Sequence, residues 1–180
     1  SSSGFQRQAW LGLSGDFGSI RAGRQFRPSY DAVVYDITNT ANYSVNDKLF
    51  NYDGPNGNGT RNDAQIKYTS PSFSGFQVIA GYVFKDNSTN VSAFDKDTRS
   101  FVTGQKSKDG GFDLGLTYVN GPLAAGAGYN YIKLDNEGNG KNSTNNNGHL
   151  GASYDFGSFK LAASYHYGQS ANLQGATIGA

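Results

Sequence analysis

Apolar and polar residues alternate one by one along much of the chain. In 159–168, Phe159, Leu161, Ala163, Tyr165 and Tyr167 fall on one side, and Lys160, Ala162, Ser164, His166 and Gly168 on the other. Successive side chains of a strand point to opposite faces, so a period of two predicts β-structure. The same rule sets Leu150, Ala152, Tyr154 and Phe156 apart from His149, Gly151, Ser153 and Asp155. It sets Phe112, Leu114, Leu116 and Tyr118 against Asp113, Gly115 and Thr117, and Leu123, Ala125, Ala127, Tyr129 and Tyr131 against Ala124, Gly126, Gly128 and Asn130. Upstream, Phe76, Val78, Ala80, Tyr82 and Phe84 oppose Gln77, Ile79, Gly81 and Val83. Helical periodicity is nearly absent. Eight strands are predicted, at roughly 5–14, 18–26, 62–71, 75–85, 110–119, 122–133, 147–156 and 158–168.

Alternation alone suits a soluble β-sandwich as well as a membrane barrel, because both present one apolar face. Three further features separate them. The runs are about 9–11 residues long, enough to cross a bilayer when tilted, against about 5–6 for an ordinary strand. Tyr and Phe gather near the strand ends, at Tyr118, Tyr129, Tyr131, Phe156, Phe159, Tyr165 and Tyr167, as in the aromatic girdles of a barrel. Connections also alternate strictly. Short ones fall at 15–17, 72–74, 120–121 and 157; long ones, rich in Asn, Asp, Gly and Ser, fall at 27–61, 86–109 and 134–146. Short turns on one rim and long loops on the other predict an all-β fold, a transmembrane antiparallel β-barrel with 86–109 and 134–146 as extracellular loops.

Composition narrows the chemistry. The 180 residues include no Cys and two His, which speaks against disulfide scaffolds, thiol catalysis and a His-rich metal centre. Fifteen basic residues against 14 acidic ones leave a net charge of +1, without the basic surplus of a nucleic-acid binder. The aromatic share of 14% is too high for a disordered chain. No metal ion is expected.

The opening segment carries Arg7-Gln8, Gly12-Leu13, Gly15, Phe17-Gly18, Arg21 and Gly23-Arg24 at fixed spacing. With Arg61–Phe76 and Tyr118–Leu123, it resembles the general diffusion porins of the Gram-negative outer membrane, in their beta-proteobacterial and neisserial branch. The resemblance covers most of the chain outside the long loops. It implies a sixteen-stranded barrel, usually a homotrimer seated in lipid and lipopolysaccharide, with a long loop (here about 28–60, within the 27–61 connection) folded into the pore. On that reading residues 1–180 are an internal stretch holding about half the strands. The implied function is passive diffusion of small hydrophilic solutes and ions, with a mild preference for anions, with no cofactor and no catalytic activity. Two other readings remain: a non-conducting eight-stranded anchor or adhesin, and a soluble carbohydrate-binding β-sandwich.

In that family an arginine cluster on the wall faces acidic groups on the inserted loop. Carried over by motif, the cluster is Arg7, Arg21, Arg24 and Arg61, with Lys67 below. The facing carboxylates come from Asp31, Asp36, Asp47 and Asp53, with Asp31 and Asp36 foremost. Parity puts Ser19, Arg21, Gly23 and Gln25 on the wet face, and likewise Arg61, Asp63, Gln65, Lys67 and Thr69. His149 and His166 fall there too, as ordinary pore-lining polar residues. Arg7 instead shares a face with Phe5, Leu11 and Leu13, and Arg24 with Ile20 and Ala22. A bulge that resets the register, or a place at a strand end, would reconcile them.

Overall fold

The computed structural model describes residues 8–36, 60–95, 100–136, 143–170 and 173–179. Among these, nine strands follow one another: β1 (Ala9–Gly15), β2 (Gly18–Phe26), β3 (Arg61–Thr69), β4 (Phe76–Asp95), β5 (Ser100–Asn120), β6 (Leu123–Asn136), β7 (Ser143–Asp155), β8 (Lys160–Ser170) and β9 (Leu173–Gly179). A single helical turn, α1 (Pro28–Asp31), follows β2. Each strand pairs antiparallel with the next, so the sheet order is the chain order from β1 to β9. Arg7, Asp47 and Asp53 lie outside the described residues.

The short connections are fixed by local chemistry. Gly121 has φ 56° in the two-residue turn between Asn120 and Leu123. A hairpin turn of the kind that matches strand twist needs a positive φ at this first position, where glycine fits without strain. At 155–159 the Asp155 carboxylate accepts the Gly157 N–H at 2.8 Å, and Phe156 N–H donates to Phe159 O.

The strands extend further than their alternation. The connection read at 86–109 is largely β-ladder, since Asn87 pairs with Asp109, Thr89 with Ser107 and Val91 with Gln105. The connection read at 134–146 shortens likewise, between Asn136 and Ser143. A ninth strand adds to the eight expected, with Tyr165 opposite Ile178. Polar residues on both faces of 87–90 and 105–109 erase the period-two signal while the backbone pairing continues.

Burial runs opposite to that of a water-soluble sheet. One face carries the large apolar side chains in the open: Val78 is 48% exposed, Leu116 44%, Leu161 59% and Tyr165 41%. The other face is covered and largely polar, with Gln25, Gln65, Lys67, Asp113, Thr117, Asn130, His149 and His166 all buried. Its apolar members Ile79, Val83 and Ile132 are buried too, and with Ala32 and Tyr35 they are the buried apolar residues among the described ones. A sandwich would bury the first face and wet the second, so the β-sandwich reading fails. An apolar surface spread over successive strands needs a non-aqueous neighbour.

That arrangement gives a test of lipid contact. With the bare face against hydrocarbon, Leu114→Arg should cost about 2–4 kcal/mol near mid-membrane. Ser164→Arg, on the opposite face of its strand, should cost far less. Urea unfolding in lipid vesicles measures both, and equal costs would remove lipid from the bare face.

Candidate functional site

At Arg27 the chain leaves β2 and turns across the covered face. Pro28 fits the first turn of α1, where its fixed φ and missing N–H cost nothing. Asp31 N–H donates to Arg27 O and Ala32 N–H to Pro28 O. The departure and return points are clasped: Arg27 N–H donates to Thr60 O at 3.1 Å, and Arg27 Nε to Asn62 Oδ1 at 3.0 Å.

Residues 28–36 are seated on β4 to β7 by a few strong contacts. Asp113 of β5, fully buried, accepts the Ser29 N–H at 2.6 Å. His149 of β7 holds two points at once. Its Nε2 lies 2.7 Å from Ser29 O and its Nδ1 2.9 Å from the Tyr35 hydroxyl. A carbonyl can only accept, so Nε2 carries the hydrogen, and Nδ1 accepts from Tyr35. Burial, and then the nearby Asp36, push the Tyr35 hydroxyl above its ordinary pKa, which keeps it a donor.

The seat itself is made of glycines. A methyl built on Gly81 would meet the Pro28 ring, and one on Gly115 the Pro28 carbonyl. One on Gly126 would fall on the Ala32 carbonyl, and one on Gly151 inside the Tyr35 ring. Backbone and ring therefore approach the sheet as closely as a bare Cα allows.

The predicted charges come together only in part. Lys67 and Asp31 meet: Lys67 Nζ, almost fully buried, donates to Asp31 Oδ2 at 2.6 Å and to Phe26 O at 3.1 Å. Arg21 stands opposite Lys67 in the β2–β3 register. Its guanidinium lies over the Trp10 ring, 4.3 Å from the centroid, within cation–π range. Gly12 makes room, since a Cβ there would come within 2.9 Å of Arg21 Cγ. Asp36 ends the described part of the segment and lies within electrostatic reach of Tyr35 and His166.

A bulge separates the remaining arginines from this group. Between Gly23↔Gln65 and Gln25↔Asn62, β2 has one residue and β3 has two, Asp63 and Ala64. Ala64 takes φ 46°, a bulge conformation. The extra residue sits on β3, so β2 keeps its alternation and Arg24 keeps the parity of Ile20 and Ala22, ion-paired with Asp63. Past the bulge Asn62 occupies the covered face and donates to Gln65 Oε1 at 2.7 Å. Arg61 is thereby taken off the face of Lys67, a correction to simple parity. Its guanidinium lies 4.3 Å from the Phe26 ring centroid, and Phe26 stacks on Tyr30. Asp113 and Tyr35 were not singled out from sequence. Asp113 was legible only as a polar residue on the wet face, and Tyr35 carried no period-two signal.

Comparison with known proteins gives a consistent picture. The family described as Gram-negative porin matches residues 1–179. The outer membrane porin protein 32 of Delftia acidovorans is 31% identical over 162 residues, covering 88% of this chain and 42% of its own. An outer membrane porin protein of Bordetella pertussis is 36% identical over 110 residues, 60% of this chain and 28% of its own. The chain thus spans less than half the length of these relatives. A solved anion-selective porin from Comamonas acidovorans shares the fold, with a TM-score of 0.51 and 23% identity over 97% of this chain and 60% of its own.

If His149 is the clasp on residues 28–36, His149→Phe keeps a ring but strands Ser29 O and the Tyr35 hydroxyl. The expected cost is about 1–3 kcal/mol of local stability, read as faster proteolytic cutting within 28–36. Unchanged cutting would show that the segment is held elsewhere.

Proposed function

This chain belongs to the Gram-negative porin family, whose members are outer-membrane β-barrel channels and not enzymes, and on that premise we propose that the whole protein forms a water-filled pore for passive diffusion of small hydrophilic solutes and ions, with a mild preference for anions. The observation that carries the reading is the inverted burial, with an apolar outside and a polar face turned inward. The segment 28–36 stands on that polar face and narrows whatever passes beside it.

The constriction is drawn from Arg21, Lys67, Asp31 and Asp36, with Arg7 as a further wall charge; Arg24 and Arg61, off the face of Lys67, stand outside it. Arg21 leads. Lys67 and Arg24 each have a carboxylate in contact, Asp31 and Asp63, which cancels much of their field. No carboxylate among the described residues pairs with Arg21, whose ring contact leaves its N–H edges for a passing anion. Assembly as a homotrimer in lipid and lipopolysaccharide belongs to the same proposal. The bare apolar face offers lipid or a neighbouring copy one continuous surface.

Planar-bilayer recording on the whole protein tests this. Discrete conductance steps are expected; their absence rejects the channel. In a salt gradient, Arg21→Glu should move the reversal potential toward cations, and Arg61→Glu less so. An unchanged potential for Arg21→Glu would remove it from the constriction. The wild-type anion preference should also weaken as salt rises from 0.1 M to 1 M, because the screening length falls from about 10 Å to about 3 Å.

A further inference from the structure

The glycines under residues 28–36 are more than tolerant of close packing. They occur on four adjacent strands: Gly81 on β4, Gly115 on β5, Gly126 on β6 and Gly151 on β7. Gly126 pairs directly with Gly151, and Thr117 with Gly126. Each lies on the covered face, and each stands under a different part of the segment: the Pro28 ring, the Pro28 carbonyl, the Ala32 carbonyl and the Tyr35 ring. Polar contacts fix the segment, through Asp113 to Ser29 and His149 to Ser29 and Tyr35. Those bonds tie the segment down to the wall, and how closely it can then approach is limited by what stands beneath it. Beneath it stand bare Cα atoms, where any Cβ would collide.

We propose that this glycine seat is the gauge of the pore: Gly81, Gly115, Gly126 and Gly151 act as positioning residues that set the height of residues 28–36 above the wall, and so the free cross-section. The proposal rests on the channel reading. A methyl at Gly126 meets backbone, which cannot rotate away. Either the ladder or the segment must move, and the ladder is hydrogen-bonded on both sides of β6. The segment, held by few bonds, rises toward the pore axis. At Gly151 the obstacle is a side chain, so the Tyr35 ring transmits the push. The two positions therefore differ in severity and in the residue through which they act.

The experiment records single channels of the intact protein carrying Gly126→Ala, Gly151→Ala, Tyr35→Ala, and Gly151→Ala combined with Tyr35→Ala. Gly148→Ala is the control, since a methyl there meets only ordinary contacts at 3.6 Å and beyond. Gly126→Ala should lower unit conductance to roughly half, and Gly151→Ala by less. In the Tyr35→Ala background, Gly151→Ala should have no further effect. Liposome swelling should show uptake of a trisaccharide falling more than uptake of a pentose. A folding defect would instead reduce channel number, leaving unit conductance and the sugar ratio unchanged. Should Gly126→Ala not assemble, the Gly151–Tyr35 pair carries the test alone. Wild-type unit conductance in the assembled glycine variants, or an equal drop in Gly148→Ala, overturns the gauge. Absence of discrete steps in the unsubstituted protein overturns the channel reading and the gauge with it.

Discussion

The structure depends on one constraint: a strand that crosses hydrocarbon must satisfy every backbone N–H and C=O through its neighbours. An antiparallel ladder in chain order does this with the shortest turns. It leaves side chains free to divide by parity into two populations that meet two different solvents. Val78, Leu116 and Leu161 face outward, while Gln65, Asp113 and His166 face inward. Hydrophobic burial does not hold the sheet together as it would in a soluble protein. The inward side chains are held to one another and to residues 28–36 by hydrogen bonds made in a confined space.

That confinement shapes the site. A segment laid across a wet wall would float unless something captured it. Asp113 and His149 capture three points of Ser29 and Tyr35, and each is a strand residue of inward parity. Around them the wall is pared to bare backbone. Ala32 and Tyr35 of the segment are themselves buried against this wall. Charge is handled differently. Lys67 is consumed by Asp31 and Arg24 by Asp63, so a wall rich in basic residues presents few uncompensated charges among the described residues. Counting arginines overstates the field; what matters is which of them lack a carboxylate.

Much of this was legible in the chain, and the failures have physical causes. Strand positions at the short-turn rim were readable, because Gly121 and Gly157 mark turns and aromatic residues flank them. At the other rim the period-two signal stopped near Phe84 and Gly110, although the strands do not. It stopped where both faces become polar, and ladder hydrogen bonds carry no sequence signature. Arg61 was misplaced because the bulge at Asp63–Ala64 uses a non-glycine residue at positive φ, which nothing in the sequence announces. Lys67 lies on the covered face that parity gives it, but its contact with Asp31 required the path of the chain after Arg27. His149 was visible as an inward polar residue. Its role as a two-point holder depended on Tyr35, whose place no alternation could give.

The clasp between Arg27 and Thr60 has an evolutionary reading. Its two hydrogen-bonded ends sit on adjacent strand termini, so whatever lies between is topologically a cassette. Closing a longer flexible excursion between fixed ends adds only about 0.6 kcal/mol for each doubling of length. The part of that insert beyond residue 36 can therefore lengthen at little cost to the scaffold, while residues 28–36 stay matched to the wall beneath them.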